Sequence, residues 1–360
     1  MKYSGIVETV TDLNRLAVPE ADVGKIRNIA HAVEMFYILC SAVELGVFDN
    51  LQNPKKAMDL AGELGLHQGL TQKLCVALEA CDFLRTDHEG KYALTSLSKT
   101  FLVTSSPLYQ GHHIQLMKRR RDEMAVKLTE IIKEGPSVIN ISPGNLGIFD
   151  QSFTIAMAEY ALGGCLQRTV EVLKKNSDFM KAKRSLDLGG GHGLYSIAFS
   201  RLNPELEAFI FDLPTVIDEF ASEIVSVCDG KVKLLSGDMT KDDLGSDYDV
   251  VFVSEVLYGP MDSINLILKK INASLKEGGI LISKHFHQDE ISKDMVSVFF
   301  DLMFSLTRGM DHGIYPTGEL CHIIESNGFS VVQIEDISTF SSPTKIIIAK
   351  KIKTSASIYP

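Results

Sequence analysis

A run of glycines behind a short apolar segment constrains this chain more than any other feature. Residues 186–193 read Leu-Asp-Leu-Gly-Gly-Gly-His-Gly. Glycine has no Cβ, so the backbone can take turns that other residues resist, and a ligand can lie directly against the main chain. We therefore expect a strand, a tight ligand-binding turn and a helix, in that order, with His192 pointing outward from the turn.

Two acidic residues follow at the ends of the next two predicted strands. Asp212 lies 19 residues beyond Gly193, where a carboxylate can accept hydrogen bonds from both hydroxyls of a ribose. Asp238 ends the strand that begins at Val232. The turn and the two carboxylates together predict a pocket for an adenosine-type cofactor. Because the turn carries no added phosphate-binding lysine, we expect that cofactor to be S-adenosylmethionine.

Length and charge limit the classes of protein to which the chain can belong. Its 360 residues suffice for two domains, and no apolar run approaches the ~20 residues that cross a bilayer. The net charge of −10 argues against binding to duplex nucleic acid, which needs a basic face. The N-terminus shows no basic segment leading into an apolar block, so we expect no secretion signal and a cytoplasmic protein.

The spacing of cysteine and histidine predicts no metal site. The six cysteines are irregularly spaced and form no C-x-x-C pair, which indicates free thiols in a reducing compartment. His285 and His287 alternate on or just after a predicted strand and share a face, but no third ligand with a matching spacing accompanies them.

The order of the predicted elements divides the chain into three parts. Helices and a short hairpin around Asp87–Gly90 make residues 1–106 an all-α/winged-helix domain. Residues 107–180 are predicted to form linker helices, with a loop at 136–148 rich in Pro, Gly, Ser and Asn. Strands and helices alternate through 181–353, which predicts an α/β, Rossmann-like domain with a mostly parallel seven-stranded sheet and a terminal antiparallel hairpin. The predicted strands lie at 185–189, 207–212, 232–236, 249–254, 279–285, 331–334 and 345–349, and the predicted helices of this part at 193–201, 215–227, 263–275, 294–308 and 317–326.

Taken in order, these motifs resemble the S-adenosylmethionine-dependent methyltransferases of the O-methyltransferase type that have an N-terminal winged-helix dimerisation domain. The matching pieces are Phe153-x-x-x-Met157, Leu186–Gly193, Phe211–Pro214, Gly237–Met239, Val253–Leu257 and Lys276–Leu281. Each piece is weak alone, but their order and spacing over residues 25–350 are specific. The resemblance implies a homodimer, in which helices of one subunit complete the pocket for a small-molecule methyl acceptor in the other.

The resemblance also implies roles for individual residues. The main chain of the glycine turn would contact the methionine part of the cofactor, and Asp212 would hold the ribose. Asp238 would lie near the exocyclic amine of the adenine, with a turn-forming role as its alternative. The implied cofactor residues are Gly189, Gly191, Gly193, Asp212, Leu213, Asp238, Met239, Ser254, Phe153 and Met157.

One motif expected of the family is absent. Family members carry His-Asp-Trp after the fourth strand, where the histidine removes a proton from the acceptor hydroxyl, but this chain has Tyr258-Gly259-Pro260. A neutral tyrosine, with an ordinary pKa of about 10, is a poor base at neutral pH, although it can hydrogen-bond the acceptor. The acid that orients the histidine in plant members is absent as well, because residues 313–317 contain no carboxylate.

Three accounts of the missing base stand side by side. An ionised or activated acceptor, such as a thiolate or an activated carbon, needs no strong base once it is aligned with the sulfonium methyl. Alternatively another histidine takes over: His312, in the loop that roofs the acceptor pocket in the family, or His112 or His113 on the long linker helix. In the third account catalysis has been lost. Tyr258 and His312 are the candidate catalytic residues.

Two other classes of function fit the pattern less well. A nicotinamide-dependent oxidoreductase would carry G-x-G-x-x-G, whereas glycines 189, 191 and 193 are each two residues apart. A winged-helix regulator would present a basic recognition helix, but the predicted helix 69–84 has a single lysine against two acidic residues. We therefore expect a small-molecule methyltransferase that acts on oxygen, with C- or S-methylation as the alternative; a C-methylating branch of the family also has tyrosine at the position of Tyr258.

Overall fold

The computed structural model of the protein describes residues 20–136, 151–226, 230–288, 295–339 and 341–353. The chain divides into two units, Met1–Ser106 and Pro107–Pro360. Within the described residues, no helix combines the length and the apolar character needed to cross a membrane. From residue 137 onward, the loop predicted at 136–148 lies outside the described residues.

The first unit is built of helices and one short hairpin. Its elements are α1 (Gly24–Glu44), α2 (Val47–Asn50), α3 (Ala57–Leu64), α4 (Gln68–Ala80), β1 (Leu84–Thr86), β2 (Tyr92–Leu94) and α5 (Ser96–Phe101). Helix α3 ends where Gly65 takes φ +66°, a left-handed conformation that glycine adopts without penalty. The antiparallel hairpin pairs Leu84 with Leu94, and both side chains are buried. The helical character predicted for the N-terminal part is confirmed.

The second unit begins with helices and continues as alternating strands and helices. Its helices are α6 (Gly111–Glu134), α7 (Gln151–Tyr160), α8 (Leu166–Leu173), α9 (Ser177–Lys181), α10 (Leu194–Leu202), α11 (Pro214–Val216), α12 (Ser222–Ser226), α13 (Met261–Ser274), α14 (Met295–Arg308) and α15 (Thr317–Ser326). Its strands are β3 (Arg184–Leu188), β4 (Glu207–Asp212), β5 (Val232–Ser236), β6 (Tyr248–Ser254), β7 (Leu275–Phe286), β8 (Phe329–Asp336) and β9 (Thr344–Lys351). Two π-helical turns, Ala161–Cys165 and Ile217–Ala221, follow α7 and α11.

The seven strands of this unit form one sheet in the order β5-β4-β3-β6-β7-β9-β8. Strands β3 to β7 pair in parallel, whereas β9 runs antiparallel to both β7 and β8. Helices cover both faces of such a sheet, so a central strand buries apolar side chains on both of its faces. Val251 and Val253 of β6 pack into one core, and Val250 and Phe252 pack into the other. The predicted mostly parallel sheet with a terminal hairpin is confirmed.

Strand order places the predicted ligand residues at one edge of the sheet. The chain passes from β3 to β4 on one side and returns to β6 on the other, and ligands of open α/β sheets bind where the order reverses in this way. The glycine turn follows β3, Asp212 ends β4 and Ser254 ends β6. All three therefore lie at the carboxyl edge, at or beside the reversal.

Several elements differ from the sequence prediction. The helix predicted at 69–84 ends at Ala80, and Leu84 begins strand β1 instead. Strand β7 begins at Leu275 rather than at 279, because the chain enters it directly from α13. The helix predicted at 215–227 is divided by the π-helical turn Ile217–Ala221, which an apolar repeat cannot distinguish from α-helix. Helix α9 was not predicted; its start is marked by Asn176, whose side chain accepts a hydrogen bond from the backbone N of Phe179.

Candidate active site

The glycine turn takes the left-handed backbone that the sequence required. Residues Gly189, Gly191 and Gly193 have φ values of +72°, +50° and +71°. An ideal Cβ on Gly189 would lie 2.9 Å from Val256, and one on Gly193 would lie 2.9 Å from Ile210, so both positions are closed by packing. Among the residues that the structure describes, the nearest atom to a Cβ on Gly191 would be the carbonyl oxygen of Gly189, at 4.0 Å. The main chain at Gly191 therefore faces open space, as a cradle for a ligand requires.

Asp212 lies directly against this turn. Its Oδ2 accepts a hydrogen bond from Gly191 N at 2.8 Å, and its Oδ1 accepts one from Leu213 N at 2.7 Å. Burial raises the pKa of Asp212, against the lowering effect of these two bonds. The structure thus brings together three of the predicted cofactor positions: Gly191, Asp212 and Leu213.

Asp238 and Met239 follow β5. Asp238 forms a turn there, whereas the side chain of Met239 reaches the glycine turn. Asp238 accepts hydrogen bonds from the backbone N and the hydroxyl of Thr240 at 2.9 and 2.6 Å, and pairs with Lys241 at 2.7 Å. Lys241 first, and then Thr240, lower the pKa of Asp238. These contacts are those of a turn former, and the role of Asp238 at the adenine stays a prediction. The methyl of Met239 would lie 3.3 Å from a Cβ on Gly189, so Met239 borders the turn.

The prediction that His192 points outward is wrong. Its side chain is buried, and its Nδ1 accepts a hydrogen bond from Leu194 N at 3.1 Å. Burial, together with the charge of Lys284, lowers the pKa of His192 to about 4. The imidazole therefore packs under the turn as a neutral ring, against Tyr195 at a centroid distance of 5.9 Å.

The hydroxyl of Tyr258 is engaged inside the protein. It donates to Glu255 and accepts a hydrogen bond from Phe286 N at 2.7 Å, while the ring stacks on Phe304 at 4.8 Å. Burial first, and then the carboxylate of Glu255, raise the pKa of Tyr258 well above its ordinary value. The one hydroxyl proton is therefore committed to Glu255, and contact between Tyr258 and the acceptor stays a prediction.

The carboxylate that binds the hydroxyl of Tyr258 also forms an ion pair, which was not predicted from the sequence. Lys284 Nζ lies 2.8 Å from Glu255 Oε1 and 3.3 Å from Ser254 Oγ. The lysine side chain is 2% exposed and the glutamate side chain 29%. A lysine soon after the apolar run Ile280–Ile282 was the available signal for a charge in the sheet, although residue spacing does not show which way its side chain points.

His285 holds the segment that follows β6. Its Nε2 accepts hydrogen bonds from Val256 N at 3.0 Å and Leu257 N at 2.9 Å. Since Nε2 accepts, Nδ1 carries the hydrogen and donates it to Ser283 Oγ at 2.8 Å. Burial lowers the pKa of His285 to about 4, so this histidine is neutral and fully engaged.

His312 lies beside the Tyr258–Gly259 segment. A Cβ on Gly259 would lie 4.0 Å from His312 Nε2, and Gly313 N donates to the carbonyl of Tyr258 at 3.1 Å. The other ring nitrogen, Nδ1, lies 2.9 Å from Asp311 Oδ1. A carboxylate at Nδ1 favours the tautomer whose Nε2 is free to accept a proton. Asp311 was not predicted, although it directly precedes the histidine in sequence.

The two alternative histidines on α6 differ in their surroundings. His112 Nδ1 contacts Glu159 Oε1 at 2.5 Å, and its side chain is 56% exposed. His113 has a buried Nδ1 without a hydrogen-bond partner among the described residues. Burial first, and then the charge of Arg120, lower the pKa of His113 to about 4, which makes it a weak base.

Phe153 and Met157 lie on α7, which contacts the π-helical turn Ile217–Ala221 beyond β4. The guanidinium of Arg120 lies 5.1 Å from the centroid of the Phe153 ring. The helix is therefore close to the cofactor edge, and contact of Phe153 and Met157 with the cofactor stays a prediction.

Comparison with known families matches two parts of the chain. The O-methyltransferase domain matches residues 150–330, half of the chain. The chain belongs to this family. The O-methyltransferase dimerisation domain matches residues 28–104 in the first unit.

Individual relatives span most of the chain at low identity. The 3-hydroxy-5-methyl-1-naphthoate 3-O-methyltransferase of Streptomyces sahachiroi is 26% identical, over 71% of this chain and 74% of its own. The L-tyrosine C(3)-methyltransferase of Streptomyces lavendulae is 24% identical, over 90% and 91%. Human N-acetylserotonin methyltransferase, solved in complex with S-adenosylmethionine, shares the fold with a TM-score of 0.79 at 19% identity, over 94% of this chain and all of its own.

Membership in the O-methyltransferase family makes this chain an S-adenosylmethionine-dependent methyltransferase acting on a small molecule. The residues present fit that cofactor, because Gly191 opens onto free space beside the carboxylate of Asp212. When bound, the cofactor supplies an electrophilic methyl group on a sulfonium.

Proposed function

We propose that this O-methyltransferase family member methylates a hydroxyl oxygen of a small acceptor, with His312 as the base. The observation that carries the proposal is the position of His312, whose Nδ1 is engaged by Asp311 and whose Nε2 faces Gly259. The histidine expected by the family resemblance would stand at the neighbouring position, which is Tyr258 here. His312 thus brings an imidazole to the same segment from a different loop.

The cofactor would be held by the main chain of the glycine turn and by Asp212. Gly189 and Gly193 keep the turn closed against Val256 and Ile210, while Gly191 leaves room for the ligand. The carboxylate of Asp212 would accept hydrogen bonds from the ribose hydroxyls, either in place of the bond from Gly191 N or in addition to it. Leu213, Asp238, Met239, Ser254, Phe153 and Met157 complete the proposed pocket.

Tyr258 would act as a positioning residue rather than as a base. Its hydroxyl joins Glu255 to the end of β7, and its carbonyl receives Gly313 N next to His312. Because its pKa is raised, the hydroxyl of Tyr258 stays protonated at neutral pH and is a poor base for the acceptor. The rate would then come from alignment of the acceptor with the methyl group and from proton transfer to His312.

Replacement of His312 by glutamine tests the proposal. Removing a general base lowers turnover by about 10²–10⁴-fold. The affinity for S-adenosylmethionine stays unchanged, because the ring nitrogens of His312 lie beside Asp311 and Gly259. The matched control is His322→Gln, on the exposed face of α15. Acceptors are found by incubating metabolite extracts with methyl-labelled cofactor. Turnover unchanged in His312→Gln would reject His312 as the base.

C-methylation is the second candidate. It is favoured by the relative named as an L-tyrosine C(3)-methyltransferase and by the engaged hydroxyl of Tyr258. Nuclear magnetic resonance of the product separates the two reactions, because a methoxy carbon and a ring methyl carbon differ widely in chemical shift. A ring methyl in the product would replace the O-methylation proposal.

We also propose a cytoplasmic homodimer assembled through the first unit. The dimerisation domain begins within α1, at residue 28. On this helix Ile26, Ile29 and Val33 are 72%, 67% and 52% exposed, an apolar surface suited to a second copy. The described cysteines Cys40, Cys75, Cys81, Cys165 and Cys321 are all free thiols, as in a reducing compartment. Light scattering coupled to gel filtration measures the oligomeric state.

A further inference from the structure

Glu255 holds a backbone conformation that is costly for its residue type. Its φ is +58°, and among the described residues only Asp82 and Asp247 share a positive φ without being glycine. Aspartate tolerates this region through local hydrogen bonds, whereas the longer side chain of a glutamate makes the same backbone conformation strained. Strain of this kind persists where the surroundings over-determine it, and it gathers at functional sites.

Three hydrogen-bond donors fix the carboxylate of Glu255: two lie at the end of β7, and the third is the hydroxyl of Tyr258. Lys284 Nζ binds Oε1 at 2.8 Å, Phe286 N reaches Oε2 at 3.3 Å, and the hydroxyl of Tyr258 donates to Oε2. Burial acts to raise the pKa of Glu255, but Lys284 and its other partners lower it overall. The carboxylate is therefore ionised and fixed in direction.

The two charges of the pair differ in their access to a ligand. The side chain of Lys284 is 2% exposed and lies 5.8 Å from the ring of Tyr195, in the first turn of α10. The side chain of Glu255 is 29% exposed. A ligand can therefore reach the anion but not the cation.

Glu255 stands between the cofactor edge and the acceptor side. The next residue, Val256, packs against Gly189 of the glycine turn, and the preceding residue, Ser254, ends β6. On the other side, the carboxylate contacts Tyr258, whose carbonyl leads to the loop of His312. When the cofactor is bound, its sulfur would lie at the same boundary, because it has to face the acceptor while Asp212 holds the ribose.

We propose that Glu255 is a cation-recognising residue of the cofactor pocket, which binds the positively charged sulfonium in preference to the neutral thioether left after methyl transfer. The inference rests on the proposed cofactor pocket. Its consequence is selectivity: S-adenosylmethionine binds more tightly than S-adenosylhomocysteine, which helps the product leave. Lys284 and Tyr258 act through Glu255 as positioning residues.

The test is calorimetric titration of three ligands, with no acceptor needed: S-adenosylmethionine, S-adenosylhomocysteine and sinefungin, whose protonated amine replaces the sulfonium methyl. In Glu255→Gln, we expect the affinity for the two cationic ligands to fall about tenfold relative to that for S-adenosylhomocysteine. Sinefungin separates charge from contact with the transferable methyl, because it carries the charge without that group. Asp247→Asn is the matched control, since Asp247 also has a positive φ but is exposed and should leave all three affinities unchanged.

Glu255→Gln leaves Lys284 buried without its carboxylate, which destabilises the fold. The double variant Glu255→Gln/Lys284→Met removes both charges and should recover the melting temperature while still lacking the preference for cations. The proposal would be overturned if the affinity for all three ligands fell equally. It would also be overturned if the folded double variant kept the original ratio of affinities between the cationic ligands and S-adenosylhomocysteine. If the unaltered protein binds none of the three, the cofactor pocket itself is wrong; if it binds all three equally well, only the role of Glu255 is.

Discussion

Replacement of Gly191 by alanine separates ligand binding from folding. The backbone at Gly191 has φ +50°, and a Cβ there would meet no protein atom closer than 4.0 Å. A left-handed alanine costs about 1–2 kcal/mol, and the reduced entropy of the unfolded chain returns about 0.4–1 kcal/mol. The net loss of roughly 1 kcal/mol lowers the melting temperature by about 2–4 °C for a domain of this size.

The same methyl group should block the cofactor much more than it weakens the fold. It enters the one open face of the turn, next to the bond between Gly191 N and Asp212. We expect the affinity for S-adenosylmethionine to fall at least about tenfold, a loss of about 1.4 kcal/mol. At a ligand concentration of about 100 Kd, where binding normally stabilises by about 2.7 kcal/mol, roughly half of the thermal shift disappears.

The control is Gly230→Ala, in the turn before β5. Gly230 has φ +71°, and no atom of the described residues lies within 4 Å of the added Cβ, so the backbone cost is similar. Differential scanning fluorimetry with and without S-adenosylmethionine measures both effects in one experiment. A Gly191→Ala protein that keeps the full ligand-induced shift would show that the open face of the turn is not where the cofactor lies.

Two further predictions concern stability. Tyr258→Phe removes one hydrogen-bond partner from the buried Phe286 N and one from Glu255. The free energy of unfolding in urea should fall by about 1–3 kcal/mol, and turnover should fall less than about tenfold. A much larger loss of turnover without loss of stability would mean that the hydroxyl binds the acceptor. Burial raises the pKa of Asp187 to about 7, so the folded state binds a proton more tightly than the unfolded chain, and stability falls by up to about 1.4 kcal/mol per pH unit between roughly pH 4 and pH 7. Asp187→Asn should remove this contribution and be relatively more stable at pH 8 than at pH 5; parallel pH profiles for the two proteins would contradict the assignment.

The sheet could be predicted from sequence because its signals are local. The parallel strands are rich in apolar residues and bounded by turn residues, and glycines 189, 191 and 193 required the backbone that the structure shows. The end of β4 was equally clear, so Asp212 was expected at the carboxyl edge. Boundaries failed where the signal is weak, as at the π-helical turn Ile217–Ala221, which shifts the hydrogen bonds of a helix by one residue.

The network around Tyr258 could not be predicted, because its members are distant in sequence. Glu255 and Lys284 meet only because β6 and β7 are neighbours in the sheet, and residue spacing gives no sign that the lysine points inward. His192 was placed wrongly for a related reason. The sequence shows that a turn exists, whereas the side on which a side chain leaves it depends on how α10 packs.

Hydrogen bonds and an ion pair join the ends of β6 and β7, and they limit which residues can be replaced there during evolution. His285 supplies one acceptor for two amides, and Lys284 balances Glu255, so a single substitution at any of the three positions leaves a polar group stranded in the interior. The three positions are expected to change together in descendants or not at all. The loops that we expect to enclose the acceptor lie outside this set of contacts, so they can vary and accommodate new substrates while the ends of the two strands stay the same.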